Sequence, residues 1–493
     1  MSIHSPFAPP KSTQSPFATP LSAALNHALS HLDSLDASSV AATADLATLR
    51  QRLDLPLNEA GLEPAEVVSD LVGGVEGGIL GSAGGRFFGW VIGGSLPAAL
   101  AADWLTSAWD QNAGLYACGP AAAVVEETAG RWLKEVLHLP ASASFALVTG
   151  CQMAHVTCLA AARHALLERR GWNVEQEGLS GSPAIRILTS SEKHGSTTRA
   201  VRLLGLGEKH IVDLPVDAEG RLLATALRDA LESNPEAPTI VVLQAGDLNI
   251  GAFDDFVTLI PLAHKHGAWV HIDGAFGLWA AASPCFRHYL EGADQADSWT
   301  TDGHKWLNVP YDCGYAFVAD PAAHRAAMST RAVYLTHAQD ARDQLDWNPE
   351  FSRRGRGFAT YAALRQLGTT GIADLIDRTC AHAHALVSGI GSLPGAEIVW
   401  EPCINQGLVR FLDPSPAAGA EAHDRFTDRM IEKILTSGEA FFTGTTWRGR
   451  RAMRVSVCNW QTSPHDVERI RRSVAKLLEQ EHVAVSVLSP DQP

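Results

Sequence analysis

Short apolar runs alternate with longer amphipathic segments through the middle of this 493-residue chain. The runs FALV, IRIL, TIVVLQ and AWVHID have the length and the share of β-branched and aromatic residues that are typical of buried strands. The segments that separate them carry apolar residues at helical spacing. The alternation extends from Leu147 to Val318 and predicts an α/β fold with a mainly parallel sheet covered by helices.

Helical and strand patterns also flank this region. PAAAVVEETAGRWLKEVLHLP opens with Pro120 and carries its apolar residues on one helical face. Beyond about His382, the runs EIVW, GLVRF and MRVSVCNW predict short strands between helices. From Leu21, apolar residues at positions 21, 25, 29 and 32 form one helical stripe. Residues 1–20 are rich in proline and serine and too poor in apolar residues to fold alone, which predicts a flexible tail.

Composition narrows the function classes. A hydrophobic share of 46% with 19% charged residues is ordinary for a globular enzyme. A net charge of −15 argues against binding to nucleic acid. We find no run long enough for a membrane span and no basic segment followed by an apolar core at the N-terminus. The eight cysteines show neither CxxC pairs nor metal-type spacing, so we expect reduced thiols in a cytoplasmic protein without a metal site.

Asp273 and Lys305 are the strongest candidates for chemistry. AWVHID ends at Asp273, and ligands of open α/β sheets bind at the carboxyl ends of strands. Lys305 follows His304 in a loop between two apolar runs, where loss of water would lower its pKa and free the amine. Alone, such an aspartate more often caps a helix and such a lysine is more often solvated. Together they suit pyridoxal phosphate, which needs a lysine for a Schiff base and a carboxylate against its ring nitrogen.

HIDGAFG followed by DGHKWLNVPYDCG resembles the group II pyridoxal phosphate-dependent amino acid decarboxylases, which include aromatic amino acid and glutamate decarboxylases. The resemblance runs from about Gly85 to Trp460. It implies the fold-type I architecture, with a seven-stranded sheet in a large domain, a small C-terminal α/β domain, and a homodimer whose active site is near the interface. The expected divisions are a tail at 1–20, a helical segment at 21–84, a large domain at 85–381, a small domain at 382–485 and a tail at 486–493.

The resemblance assigns the phosphate of the cofactor to a turn after the run FALV. Gly150, Cys151 and Gln152 hold the phosphate by position, and a helix N-terminus there is suited to an anion. The family's Glu-Ala-Asn is replaced by Met-Ala-His at 153–155, which leaves the role of that glutamate open.

The resemblance also implies that His194 stacks on the pyridine ring and assists proton transfer, whereas an ordinary surface-loop histidine is the alternative. The expected catalytic residues are Lys305, His194 and Asp273. The remaining cofactor contacts are expected from Ala275, Asp302 and His304.

Substrate contacts are expected at two places. RFFGWVIGG resembles a pocket-lining segment, so Phe88 contacts the substrate or belongs to the core. Arg353 falls at the position of an arginine that binds the substrate carboxylate, although Arg354 or Arg356 could serve, and a basic surface loop is the alternative. Asp247 stands where the family has threonine, and could favour a cationic substrate or cap a turn.

The predicted reaction is decarboxylation of an L-amino acid to an amine and CO2, with an aromatic substrate weakly favoured. The segment from Tyr334 to Ser352 is polar and is expected to be a mobile loop, and no tyrosine follows Tyr334 in it. In related enzymes, a loop tyrosine protonates the carbanion, and its replacement diverts the reaction to oxygen and a carbonyl product. A second hypothesis is therefore an aldehyde-forming oxidative reaction or a carbon–carbon lyase. A third is a non-catalytic binding or regulatory protein, which the intact Lys305, Asp273 and His194 argue against.

Overall fold

A computed structural model of the chain describes residues 15–330 and 341–488, with side chains described up to 483. Its helices are α1 (Ala18–Ser34), α2 (Leu46–Leu53), α3 (Pro64–Val75), α4 (Pro97–Trp109), α5 (Pro120–Val136), α6 (Cys151–Glu168), α7 (Val174–Glu177), α8 (Gly195–Leu203), α9 (Ala224–Ser233), α10 (Phe256–Lys265), α11 (Pro321–Met328), α12 (Gly357–Gly391), α13 (Ala420–Thr436) and α14 (Pro464–Leu488). Its strands are β1 (Ser144–Val148), β2 (Arg186–Ser190), β3 (Ile211–Leu214), β4 (Thr239–Gln244), β5 (Trp269–Asp273), β6 (Ser298–Asp302), β7 (Gly314–Val318), β8 (Ala396–Trp400), β9 (Gln406–Phe411), β10 (Thr443–Trp447) and β11 (Arg450–Ser456).

The large sheet has seven strands in the order β1-β7-β6-β5-β4-β2-β3. Adjacent strands from β3 to β6 pair in parallel, whereas β7 is antiparallel to both β6 and β1. The predicted mainly parallel sheet is therefore confirmed, with one reversed strand. The reversal has a simple cause: residues 303–313 join β6 to β7 without a crossover helix, so the chain turns straight back. Lys305 lies in this short connection.

The small sheet is antiparallel, in the order β10-β11-β9-β8. Its apolar face packs with α13 and α14 in a separate core, which includes Phe411, Phe426 and Ile470. An antiparallel sheet with one covered face is a stable arrangement because that face can be buried by helices alone. This is the C-terminal sheet that the short apolar runs predicted.

Helix α12 joins the two parts of the molecule. Gly368 interrupts it with φ 60°, a left-handed conformation that favours glycine. Beyond the break, Ile376 and Cys380 pack in the large core, whereas Ala383 and Leu386 pack in the small one. The expected division between 381 and 382 thus falls inside a continuous helix, at the point where its packing partners change.

The ends of the chain differ from the expected tails. Helix α1 begins at Ala18, so positions 18–20 of the predicted tail are helical, and α14 continues to Leu488 through the start of the tail expected from 486. Residues 1–14 and 489–493 lie outside the described residues. The leucines of the N-terminal stripe, Leu21, Leu25 and Leu29, are 58%, 44% and 50% exposed on α1.

The segment predicted to be a mobile loop is packed in its second half. Tyr334 and the rest of 331–340 lie outside the described residues. Gln344, Leu345 and Asp346 form a buried 3-10 turn, and Gln344 Nε2 donates to the carbonyl of Ala123 at 3.2 Å. Its polar side chains find buried partners, so polarity was a poor guide to mobility here.

Within residues 15–330 and 341–488, no helix has both the length and the apolar character needed to cross a bilayer.

Candidate active site

A cavity of about 610 Å³ opens at the carboxyl ends of β4, β5 and β6. Its size is within the range of small-molecule sites. All the residues expected to bind the cofactor line it, although the sequence spreads them over 156 positions. They are Gly150, Cys151, Gln152, His194, Asp273, Ala275, Asp302, His304 and Lys305. Val91, Gln244, Leu248, Phe276 and Tyr311 complete much of the wall.

Asp273 is buried at the end of β5, with 6% of its surface exposed. Its Oδ1 accepts the N–H of Ala275 at 3.2 Å, and its Oδ2 is 3.4 Å from Nε2 of His155. Burial by itself would raise the pKa of Asp273, but His155, His194 and Lys305 together lower it well below its ordinary value. The carboxylate is therefore an anion held inside the protein, which is what a protonated ring nitrogen requires of its partner.

Lys305 forms a buried ion pair with Asp302, at 3.0 Å between Nζ and Oδ2. Burial lowers the pKa of Lys305, but the charge of Asp302 outweighs it, and the pKa is raised above its ordinary value. The expectation that loss of water would lower the pKa of this lysine was wrong, because the sequence pattern did not reveal the carboxylate that accompanies it. Without a ligand, Lys305 is an ammonium ion.

Asp302 also holds the start of α6. Its Oδ1 accepts the backbone N–H of Cys151 at 2.6 Å, and its Oδ2 is 3.6 Å from Nε2 of His304. Burial raises the pKa of the Cys151 thiol, so this side chain is neutral. One N–H of the turn predicted to hold phosphate is thus already bonded to a carboxylate, while the positive end of the α6 dipole faces the cavity.

The loop that carries Lys305 is fixed by Asn308, which is fully buried. Asn308 Nδ2 donates to the carbonyls of Trp306 and Cys458 at 2.8 and 2.9 Å. Its Oδ1 accepts the N–H groups of Gly94 and Trp460 at 2.8 and 3.0 Å. A single amide therefore joins the lysine loop to both an N-terminal and a C-terminal segment.

His194 caps helix α8 at the rim of the cavity. Its Nδ1 accepts the N–H of Ser196 at 3.2 Å and lies 2.7 Å from the Ser196 hydroxyl. Burial lowers the pKa of His194, and Asp273 opposes that change. His304, on the other side, stacks on Tyr311 with 4.3 Å between ring centroids. A neutral imidazole at the rim is suited to stack on a ring and to exchange a proton.

These residues fit pyridoxal phosphate. The cavity brings together a primary amine, a buried anionic carboxylate, an imidazole and a helix N-terminus, which are the four groups that this cofactor uses. Gly93 adds a steric condition, since a Cβ at this residue would lie 2.0 Å from the carbonyl oxygen of Lys305. Glycine lets the N-terminal segment pass directly over the lysine loop.

The three arginines considered for binding a substrate carboxylate each form an ion pair with a carboxylate of this chain. Arg353 is buried against Glu126, with a short contact between Nη2 and Oε1, and it does not line the cavity. Arg354 pairs with Asp103 at 2.7 Å, and Arg356 pairs with Asp312 at 2.8 Å. The assignment of Arg353 by position is corrected, because its charge is already neutralised within the protein.

Phe88 is likewise not in the cavity. It is fully buried in the small core and stacks on Phe442, with 5.2 Å between centroids. Of the two roles considered for this residue, the structure places it in the core. Phe88 therefore gives no support to the expectation of an aromatic substrate, which was based on the aromatic segment around it.

Sequence reasoning missed Arg454, on β11. Only 5% of this residue is exposed, and its Nε and Nη2 have no hydrogen-bond partner among the described residues. Its charge acts on His194, which lines the cavity, and on Asp247, although Arg454 itself is not among the residues that line the cavity. An arginine within the apolar strand pattern MRVSV was the available signal, since a buried charge without a function is costly.

Asp247 caps a turn. Its Oδ1 accepts the N–H groups of Asn249 and Ile250 at 2.9 and 2.8 Å, while its Oδ2 has no partner among the described residues. Burial raises its pKa to about 6. Of the two predicted roles, turn capping is the one the structure shows.

Comparisons with known proteins agree with this chemistry. A family model described as pyridoxal-dependent decarboxylase conserved domain matches residues 48–412. An L-2,4-diaminobutyrate decarboxylase of Rhizobium meliloti is 28% identical over 394 residues, covering 78% of this chain and 76% of that protein. A 4-hydroxyphenylacetaldehyde synthase of Rhodiola rosea is 27% identical over 340 residues, covering 67% of this chain and 68% of that protein. The crystal structure of Oryza sativa TDC with PLP and tryptamine has the same fold, with a TM-score of 0.88 at 23% identity over 97% of this chain and 99% of that chain.

Replacing Asp302 with asparagine should release the amine of Lys305 at lower pH. The amide oxygen can still accept the N–H of Cys151, but the charge that raises the pKa of Lys305 is gone. We expect the midpoint for acylation of Lys305, followed by peptide mass spectrometry across a pH series, to fall by roughly 1–3 pH units. Lys193, paired with Asp213 at 2.6 Å, is the internal control and should label identically in both proteins. An unchanged midpoint at Lys305 would contradict the ion-pair explanation.

Proposed function

The chain belongs to the family of pyridoxal-dependent decarboxylases and is a pyridoxal phosphate-dependent carboxy-lyase that acts on an amino acid, and we propose that it releases the amine. The family resemblance predicted from HIDGAFG and DGHKWLNVPYDCG is thereby confirmed. The observation that carries the proposal is the meeting of Lys305, Asp273 and His194 in one cavity.

Pyridoxal phosphate, when bound, supplies an aldehyde for covalent attachment and a cationic ring that accepts the electrons left by CO2. Lys305 offers the amine for that attachment, and Asp273 offers the anion for the ring nitrogen. Asp302 stabilises the ammonium form of Lys305 whenever the amine is released, since Oδ2 lies 3.0 Å from Nζ. His194, at the rim, is proposed to stack on the ring and to move protons.

Arg454 is proposed to bind the carboxylate of the substrate, in place of Arg353. Asp247 is close enough to interact with the charge of Arg454, but two nitrogen groups of this guanidinium have no hydrogen-bond partner among the described residues, which is unfavourable inside a protein. A carboxylate satisfies them, because the guanidinium can donate two parallel hydrogen bonds. Since Arg353 is paired with Glu126, Arg454 is the better supported candidate.

The final proton decides between an amine and an aldehyde. Tyr311 lines the cavity and stacks on His304, and a phenol stays protonated at neutral pH. We propose that its hydroxyl supplies the proton that gives the amine. The aldehyde is the second candidate product, and it is supported by the likeness to a 4-hydroxyphenylacetaldehyde synthase. That route consumes O2 and water, and it releases ammonia, hydrogen peroxide and CO2 together with the aldehyde.

A homodimer is also proposed, with α1 as an arm that packs on a second copy. Leu21, Leu25 and Leu29 are spaced four residues apart, so they share one face of the helix, and all three are exposed. Contiguous exposed leucines are typical of an interaction surface. A cytoplasmic location is proposed as well, and it is supported by cysteines that are all free.

Product analysis is the first test of the reaction. The cofactor-loaded protein, incubated in air with each common L-amino acid, should release CO2 and an amine from one of them, measured by mass spectrometry. Release of an aldehyde with hydrogen peroxide would establish the second candidate instead.

Two variants act as controls in the same assay. Lys305→Ala should lose all but a trace of activity because the amine is gone, so near wild-type turnover would contradict the assignment. Tyr311→Phe should shift the product from the amine toward the aldehyde. An unchanged product ratio would remove Tyr311 as the proton source.

Arg454→Met should lower kcat/KM by about 10- to 150-fold, since hydrogen bonds to a charged group contribute about 1.5–3 kcal/mol. The change should appear mainly in KM if the arginine acts in binding. Arg354→Met is the matched control. It should change kcat/KM by less than about fivefold, because the ion pair between Arg354 and Asp103 is partly exposed and such pairs contribute about 1 kcal/mol or less. Equal losses in the two variants would argue against a substrate role for Arg454.

The double substitution Leu25→Asp with Leu29→Asp should produce monomers of 52.7 kDa in sedimentation velocity, whereas we expect the unmodified protein to sediment as a dimer. Each leucine that is buried in the interface should stabilise the dimer by about 1.5–3 kcal/mol. Leu203→Asp, on α8 and 62% exposed, is the control and should leave the dimer intact. If the unmodified protein is a monomer, the proposal that α1 is a dimerisation arm is wrong.

A further inference from the structure

A line of buried polar side chains runs from Asp273 away from the cavity. Oδ2 of Asp273 is 3.4 Å from Nε2 of His155, a contact between opposite charges or dipoles that does not have hydrogen-bond geometry, and Nδ1 of His155 is 2.9 Å from Nε2 of His271. Nδ1 of His271 is 2.9 Å from the hydroxyl of Ser298, which accepts the indole N–H of Trp269 at 2.9 Å. The two histidines and the serine are fully buried. We call Trp269, Ser298, His271 and His155 the relay.

The relay is built by strand geometry. Trp269, His271 and Asp273 alternate along β5, so their side chains point to the same face of the sheet. Ser298 is the partner of His271 on β6 in the strand register. Helix α6 packs on this face and contributes His155, which stands at an edge-on angle of 74° to the ring of His271.

The groups at the two ends, Trp269 and Asp273, limit the directions that the hydrogen bonds along the relay can take. The indole N–H of Trp269 can only donate, and the ionised carboxylate of Asp273 can only accept. If Ser298 donates its hydroxyl proton to Nδ1 of His271, each later group can accept one hydrogen bond and donate the next. Assigned in this way from the partners, both histidines are neutral and carry their proton on Nε2.

Burial also favours a neutral ring for His271, whose pKa it lowers to about 3. The competing assignment has a charged His155, which would donate from both nitrogens and reverse the bond between His271 and Ser298. The two assignments differ at defined atoms, so a spectroscopic measurement distinguishes them.

We propose that the relay is a one-way series of hydrogen bonds that keeps the Nε2–H of His155 directed at Asp273, 3.4 Å away, and so holds its carboxylate in position for the ring nitrogen of pyridoxal phosphate. His155 and Ser298 are then positioning residues, because they act on the cofactor only through Asp273. The proposal rests on the family's cofactor and deepens the proposed function. It also gives a role to His155, in the segment where Met-Ala-His replaces the family's Glu-Ala-Asn.

Removing a relay member should weaken the hold on the cofactor without touching the cavity. His155→Leu removes the donor to Asp273 and is expected to raise the dissociation constant of pyridoxal phosphate by about tenfold or more. His155→Gln places an amide N–H toward Asp273 and should recover part of that loss. Ser298→Ala removes the hydroxyl proton that keeps His271 in its Nε2–H form, although Ser298 and His271 are 27 residues apart in the chain.

The decisive measurement is nitrogen-15 NMR, first on histidine-labelled protein without cofactor. His155 and His271 should both report neutral rings protonated on Nε2, and Ser298→Ala should change the protonation state of the His271 ring nitrogens. A doubly protonated His155 would overturn the one-way relay. This readout needs no cofactor and no activity, so it stands even if the proposed reaction is wrong.

The second measurement uses pyridoxal phosphate labelled with nitrogen-15 in its ring. Ser298→Ala should move the ring resonance and weaken binding. The matched control is Ser144→Ala, because Ser144 bonds the fully buried His324 at 2.8 Å, away from the cavity. The control should lose some stability and leave the ring resonance unchanged. If the two alanine variants give the same ring resonance and the same affinity, the relay does not act on the cofactor site.

Discussion

The buried carboxylate of Asp302 ties the chemistry of this protein to its fold. One oxygen accepts the first N–H of α6, and the other pairs with the ammonium of Lys305. A carboxylate inside a protein is stable only when such partners are present. The end of β6, the start of α6 and the lysine loop must therefore come together, and the short return from β6 to β7 makes this possible.

The same condition applies to the other charge of the site. Asp273 is ionised inside the protein because His155, His194 and Lys305 surround it. None of these partners is adjacent to it in sequence, so the anion exists only in the folded state. Polar networks of this kind contribute to stability when every member is satisfied, and they are costly when one partner is missing. Binding chemistry and folding thus depend on the same contacts.

The small domain contributes a buried arginine, Arg454, to the proposed substrate site. Arg353, Arg354 and Arg356 each form an ion pair with a carboxylate of this chain, whereas Nε and Nη2 of the buried Arg454 have no hydrogen-bond partner among the described residues. A guanidinium that is neutralised inside the protein cannot recruit a substrate. Position along a family pattern does not report this difference, because neutralisation depends on which carboxylate is near in space.

The sequence by itself determined the layered α/β fold, the strand end at Asp273 and the loop position of Lys305. These features are local, since strand periodicity, turn residues and a short cofactor motif are all read within a few residues. Only the tertiary structure decided which charges compensate one another. It raised the pKa of Lys305 through Asp302, removed Arg353 and Phe88 from the site, and joined His155 to His271 across 116 residues of chain. The physical reason is that electrostatic and hydrogen-bond partners are chosen by distance in space, which no local pattern encodes.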